Sequence, residues 1–211
     1  MTYIIIGHYG SGKTNFACNL ALKLSQEGST AIADLDIVNP YFRTADQSEI
    51  LEAAGVKLVV SKFFTSTLDI PSLTFDLGSA AAEYDNLIID VGGDDEGAKT
   101  LGRYREALSD KPVTVLYVVN FRRYLSKTAS DAAEILREIE AASGFRADVI
   151  VNNTNLAEET TAETIKDSEK ECQKLSKLTG IKEIITVIPE MIDYSSDNRF
   201  TVKIIVKKPW N

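Results

Sequence analysis

Ile4-Ile5-Ile6-Gly7-His8-Tyr9-Gly10-Ser11-Gly12-Lys13-Thr14, close to the start of the chain, is the stretch whose reading decides the fold. Tyr3 to Ile6 is a short apolar run rich in β-branched side chains, the composition of a buried strand. G-x-x-x-x-G-K-T follows at 7–14 without a spacer. A helical pattern then opens, with Phe16, Ala17, Leu20, Ala21 and Leu24 on one face and Gly28 as its stop. Strand, glycine loop and helix in immediate succession are the context in which such a loop cradles phosphate. Gly7, Gly10 and Gly12 let the backbone come close to an anion. The amides of Gly10, Ser11, Gly12, Lys13 and Thr14 face it at the positive end of the helix dipole, with Asn15 completing the contact set. Lys13 reaches the β- and γ-phosphates and serves catalysis, and the Thr14 hydroxyl ligates Mg²⁺.

Composition narrows what the loop can serve. A chain of 211 residues with 44% hydrophobic side chains suits one nucleotide-binding domain over 1–211. Net charge is −8 and the sequence pI about 4.8. That balance argues against general affinity for DNA or anionic membrane, which reward clustered Lys and Arg. Cys18 and Cys172, each on the apolar face of an expected helix, read as buried thiols of a reducing compartment. No basic leader and no apolar run of membrane-spanning length stands in the sequence, so a cytoplasmic location is expected.

Outward from the loop, strands alternate with helices. Thr30 to Asp36 reads as a strand ending in Asp34 and Asp36, whose side chains share a face at a spacing of i, i+2. Arg43 follows in a loop. A short helix is expected over 46–54 and a strand over 56–60, while 61–85 shows no sustained period before an alanine-rich helical stretch. Leu87-Ile88-Ile89-Asp90 is a buried strand ending in an acid, the usual form of a second Mg²⁺ carboxylate. Asp94, Asp95 and Glu96 read as first-turn acids of a helix running to Leu108.

Val113 to Val119 is the longest apolar run, a central strand. Thr128 to Asp131 opens a helix with a capping box, and Gly144 stops it. Another strand, 148–151, runs into Asn152-Asn153-Thr154-Asn155. Thr160 and Glu163 are expected to cap a helix with the stripe Ile165, Ser168, Cys172, Leu175 and Leu178. A strand over 184–188 ends in Pro189, and an edge strand is expected over 202–206. The pattern predicts an α/β fold, a doubly wound, mostly parallel sheet of about seven or eight strands between two helical layers.

At this point the chain resembles the MinD/ParA and nitrogenase-iron-protein class of phosphate-loop (P-loop) NTPases, which includes dethiobiotin synthetase and the cobyrinate amidation domains. The carriers are G-H-Y-G-S-G-K-T at 7–14, D-L-D at 34–36, I-I-D-V-G-G at 88–93, V-N-N at 151–153 and V-I-P-E at 187–190. The resemblance implies that Thr14, Asp36 and Asp90 serve Mg²⁺ and that Asp36 positions the attacking water. It also implies that Asn152 and the Pro189 region frame the base. One departure stands out: MinD/ParA members carry a signature lysine after the first loop glycine, where this chain has His8.

The leading expectation is thus a Mg²⁺-dependent ATP-binding protein, an ATPase whose loops at 36–43 and 90–97 switch binding to a protein partner. The second is an ATP-dependent small-molecule ligase or kinase of the dethiobiotin or cobyrinate kind, with 61–85 as acceptor pocket. Adenine is expected over guanine, because Asn152-Asn153-Thr154-Asn155 offers a neutral amide where guanine-specific proteins place a carboxylate. His8 cannot supply the fixed charge of the missing lysine, so any homodimer is expected to form without an ATP sandwich.

Overall fold

The structure, a computed structural model, describes residues 1–35, 47–59 and 76–206. Strands β1 (Thr2–Ile6), β2 (Thr30–Asp34), β3 (Lys57–Val59), β4 (Asn86–Asp90), β5 (Val113–Val119), β6 (Val149–Asn152), β7 (Glu183–Pro189) and β8 (Arg199–Val202) form one eight-stranded sheet. Its order is β3-β2-β4-β1-β5-β6-β7-β8, and all neighbours pair in parallel. Parallel neighbours need a crossover, and these are supplied by α1 (Lys13–Leu24), α2 (Ser48–Ala53), α3 (Leu77–Glu83), α4 (Asp95–Gly102), α5 (Ala129–Ser143) and α6 (Ala162–Thr179).

Alternation along the strands divides the core in two. Ile4 and Ile6 face one cluster with Leu87, Ile89 and Tyr117, while Ile5 faces the other with Phe16, Ile32 and Ile88. All three isoleucines are fully buried, each contributing about 1.5–3 kcal/mol by removal from water. α3, α4, α5 and α6 cover the first face, α1 and α2 the second. The chain moves from β1 outward through β2 and β3, returns at β4, then crosses to β5 on the other side of β1. Where the strand order reverses in this way, a crevice is left at the carboxyl ends of β1, β4 and β5.

Several boundaries differ from the sequence reading. α4 ends at Gly102, and Tyr104 and Leu108 reach the core from turns; glycine is a poor interior helix residue, which favours the stop there. The cap of α6 is Thr161, accepting from the Thr164 N–H; Thr160 instead spends its hydroxyl on the Ala157 carbonyl and the Leu156 N–H. Leu178 is exposed, one residue off the buried stripe. The edge strand is 199–202, and segment 203–206 has left the sheet. The capping box of Thr128 and Asp131, the Gly144 and Gly180 stops and both buried cysteines stand where expected.

Candidate nucleotide-binding site

The loop between β1 and α1 sits at the crevice. Gly12, the N-cap of α1, has φ 88°, and a Cβ there would lie 2.3 Å from the Asn153 Nδ2. Only glycine combines that backbone with so close a neighbour. Asn153 Nδ2 donates to the Ser11 carbonyl at 2.7 Å, and the Asn153 N–H donates to the Val119 carbonyl at 2.8 Å. The end of β6 is thereby riveted to the loop. Arg123 Nε donates to the Gly10 carbonyl at 2.9 Å, adding a second brace from beyond β5. Gly7 lies beneath, with the Val118 carbonyl of β5 against its Cα.

Lys13 opens α1 and is 7% exposed; its Nζ donates to the His8 carbonyl at 3.2 Å, which folds the ammonium back over the mouth of the loop. The Ser11 hydroxyl is buried with no hydrogen-bond partner among the described residues. A buried hydroxyl without a partner costs about 1–3 kcal/mol, so the loop is set up to receive one.

Across the crevice lies the loop after β4. The Tyr9 N–H donates to the Gly93 carbonyl at 3.1 Å, and a Cβ on Gly93 would lie 2.6 Å from the Tyr9 nitrogen and 2.7 Å from Lys13 Nζ. Gly93 therefore stands where it touches both backbone and lysine of the phosphate loop. Asp94 caps α4 through the Gly97 N–H at 2.8 Å, and Asp95 and Glu96 fill its first turn. These three acids serve the helix end, as their position after the strand implied.

Asp90 is 1% exposed at the end of β4, directly opposite Asp34 of β2 in the parallel register. Thr14 is half-buried in the first turn of α1. A hydroxyl and strand-end carboxylates are hard oxygen donors of the kind Mg²⁺ takes when it keeps most of its waters and binds substrate phosphates. Among the described residues no group of three or more His, Cys, Asp or Glu is gathered, so no dedicated all-protein cage is found there. Asp36 and Arg43 lie outside the described residues.

Two side chains expected at the site make their own bonds within the protein. Asn152, 1% exposed, donates to Ser168 Oγ at 2.8 Å and accepts from the Thr154 N–H at 3.3 Å. It is Asn153, the next residue, that faces the loop. The Asn15 side chain is engaged with 203–206. Pro189 is buried at the end of β7, where Glu190 N–H donates to the Val202 carbonyl at 2.9 Å. Asn120, fully buried after β5, accepts from the Arg122 and Asn155 amides and donates to the Asn155 carbonyl, knitting the loops after β5 and β6 together. Asn153, Asn120 and Arg123 were missed as site residues. The available signal was an asparagine at, or just past, the carboxyl end of successive strands.

A groove of about 520 Å³ opens beside the Tyr9–Gly93 contact, lined by His8, Tyr9, Asp95, Lys99, Ile135 and Glu138 among others. One wall belongs to the phosphate loop, one to α4 and one to α5.

No protein-family model matches the chain, and no curated protein does. Solved structures do match. The signal recognition particle 54 kDa protein of Aeropyrum pernix, in complex with GDP, aligns at TM-score 0.55 and 14% identity over 88% of this chain and 41% of its own. The hydrogenase maturation factor HypB of Archaeoglobus fulgidus aligns at 0.54 and 17% identity, over 88% of this chain and 80% of its own. The fold is that of the P-loop NTPases. A nucleotide-binding protein of Archaeoglobus fulgidus, in complex with ADP and with Co found, aligns at 0.52 and 16% identity over 88% and 80%. The chain spans about half the length of two bacterial FtsY proteins that it also matches, 51% and 49%. At these identities the likeness carries the fold alone. Among the described residues no helix is long and apolar enough to cross a membrane.

Proposed function

We propose that the chain binds Mg²⁺·ATP at residues 7–14 and hydrolyses it as a nucleotide switch of the MinD/ParA kind acting on a protein partner. The observation that carries this is the contact of Gly93 with Tyr9 and Lys13. The loop after β4 meets Lys13, which holds the β- and γ-phosphates in such a loop, and the Tyr9 amide beside it, so gain or loss of a γ-phosphate displaces it. The wall of the neighbouring groove formed by α4 moves with that loop, which supports a partner reading the nucleotide state there.

In this reading the loop amides and Lys13 hold and neutralise the phosphates, and Ser11 Oγ gains the partner it lacks within the chain. Thr14 and Asp90 are the residues that hold Mg²⁺, which supplies charge neutralisation at the phosphate oxygens. Asp36 orients the attacking water. Asn153 and Arg123 keep the loop in shape without touching the reacting atoms. ADP in one structural relative and GDP in another leave the base open; the neutral Asn155 at the end of the Asn152–Asn155 run supports adenine. The ligase or kinase reading shares the phosphate- and Mg²⁺-holding residues and differs in the acceptor, which takes the place of the water that Asp36 orients.

Calorimetry of wild type and Lys13→Ala with Mg²⁺·ATP tests the proposal. Truncating one partner of a desolvated charged contact costs at least about 2 kcal/mol, so affinity is expected to fall about 30-fold or more. Unchanged affinity overturns the assignment. Turnover that requires a carboxylate metabolite would select the ligase over the switch.

A further inference from the structure

Helix α1 carries Asn15, Asn19 and Lys23 at a spacing of four, on one stripe, and all three are turned to the C-terminal element. Asn15 Oδ1 accepts from the backbone N–H of Ile205 at 2.8 Å and of Val206 at 3.2 Å, while its Nδ2 donates to the Lys203 carbonyl at 3.1 Å. One turn on, Asn19 holds Lys203 from both sides, accepting from its N–H at 2.8 Å and donating to its carbonyl at 2.9 Å. Asn19 also donates to the Asn15 carbonyl at 2.7 Å. The Lys23 ammonium lies 5.2 Å from the centre of the Phe200 ring, and that ring packs 5.2 Å from Phe16.

Segment 203–206 has left the sheet, so its amides have no strand neighbour. Two asparagine side chains accept from those of Lys203, Ile205 and Val206 instead. Asparagine is a poor helix former, and Asn19 is 8% exposed, so both side chains hold their places only because their bonds are made. Ile205, 7% exposed, seals the contact from the apolar side. Asn15 directly follows Thr14, and the first turn of α1 thus presents amides to the phosphate loop and an anchor to the C-terminal segment.

We infer that Asn15 and Asn19 are positioning residues that couple phosphate binding in the loop to docking of segment 203–206. The inference rests on the nucleotide reading above. Phosphate on the first-turn amides holds that turn from inside the crevice, and the docked segment holds it from outside. Each restricts the same few residues, so each favours the other, and the coupling is reciprocal. Segment 203–206 then acts on the nucleotide site through the first turn of α1.

Amide hydrogen exchange at Lys203, Ile205 and Val206, with and without Mg²⁺ and the fluorescent analogue MANT-ATP, tests this on the full chain. In the wild type, saturating MANT-ATP is expected to slow exchange at these amides about tenfold, a mid-range coupling. Asn15→Ala is expected to leave Ile205 and Val206 in fast exchange with or without MANT-ATP, and to weaken MANT-ATP by a similar factor. Asn19→Ala, a full turn away from Thr14, guards against local damage to the loop and is expected to do the same at Lys203. Tight MANT-ATP binding with exchange unchanged overturns the coupling while leaving the nucleotide reading intact. Wild type that does not bind MANT-ATP overturns both, and the two outcomes are distinguished by the binding measurement itself.

Discussion

At the scale of single residues, the site is held by atoms that approach one another too closely to tolerate change. Gly93 is the sharpest case, since an added Cβ would meet both the Tyr9 nitrogen and Lys13 Nζ. Gly93→Ala must push the loop after β4 away from the phosphate loop. A misplacement near 1 Å at a reacting centre costs about 10²-fold, so ATP turnover is expected to fall by that order with far-UV circular dichroism unchanged. Turnover within twofold of wild type would remove the Tyr9–Gly93 contact from the mechanism. Asp85 gives a residue-scale prediction for stability. It accepts from Ser29 Oγ at 2.7 Å and from the Ser29 N–H at 2.9 Å, and these bonds hold its carboxyl below the usual range. A group depressed in the folded state stabilises above its unfolded pKa, about 3.9, and that contribution is lost as pH falls through the folded value. Wild type is therefore expected to exceed Asp85→Asn in urea midpoint at pH 7 and to lose the advantage below about pH 4. A gap that does not shrink as pH is lowered from 7 through the acid range would assign the difference to something other than the ionised carboxyl.

At the scale of elements, α5 shows how a local signal becomes part of the core. Thr128 accepts from the Asp131 N–H at 3.2 Å, and the Asp131 carboxylate accepts from the Thr128 N–H at 3.1 Å. The helix so started places Ala132, Ala133 and Leu136 in the core and one wall beside the groove. Thr128→Ala is expected to cost about 1 kcal/mol, read as a lower urea midpoint at unchanged slope. A loss under about 0.3 kcal/mol would mean that packing alone holds the helix end. The caps were legible because they depend on residues three apart. Thr160 and Thr161 could not be separated on that basis: either can start α6, and the role falls to Thr161 because Thr160 spends its hydroxyl on the preceding turn.

At the scale of the whole molecule, charge bears on assembly. Each chain carries −8, and in the proposed function a face-to-face pair would bring two such surfaces and their nucleotides together without a lysine after the first loop glycine, where this chain has His8. ATP is therefore expected not to drive a sandwich dimer. Light scattering of Asp36→Ala with and without Mg²⁺·ATP measures this. An ATP-dependent doubling of mass overturns the expectation, and its loss in Arg43→Ala would show that Arg43 supplies the missing charge.

What the chain determined by itself was everything set by near neighbours: the strand, glycine loop and helix at 2–24, the acid at the end of β4, the caps of α5 and the class of sheet. Periodicity and turn chemistry act over a few residues, and they survive any arrangement of the rest. What only the tertiary structure decided was which polar side chains meet. Asn153 and Ser11 are far apart in sequence, as are Asn15 and Ile205, and no local pattern distinguishes Asn153, turned to the phosphate loop, from Asn152, turned to Ser168. On a strand, adjacent residues point to opposite faces, so a single step of register decides which asparagine reaches the loop. The sheet order sets that register, and it is settled by burial of the two apolar faces over the whole fold.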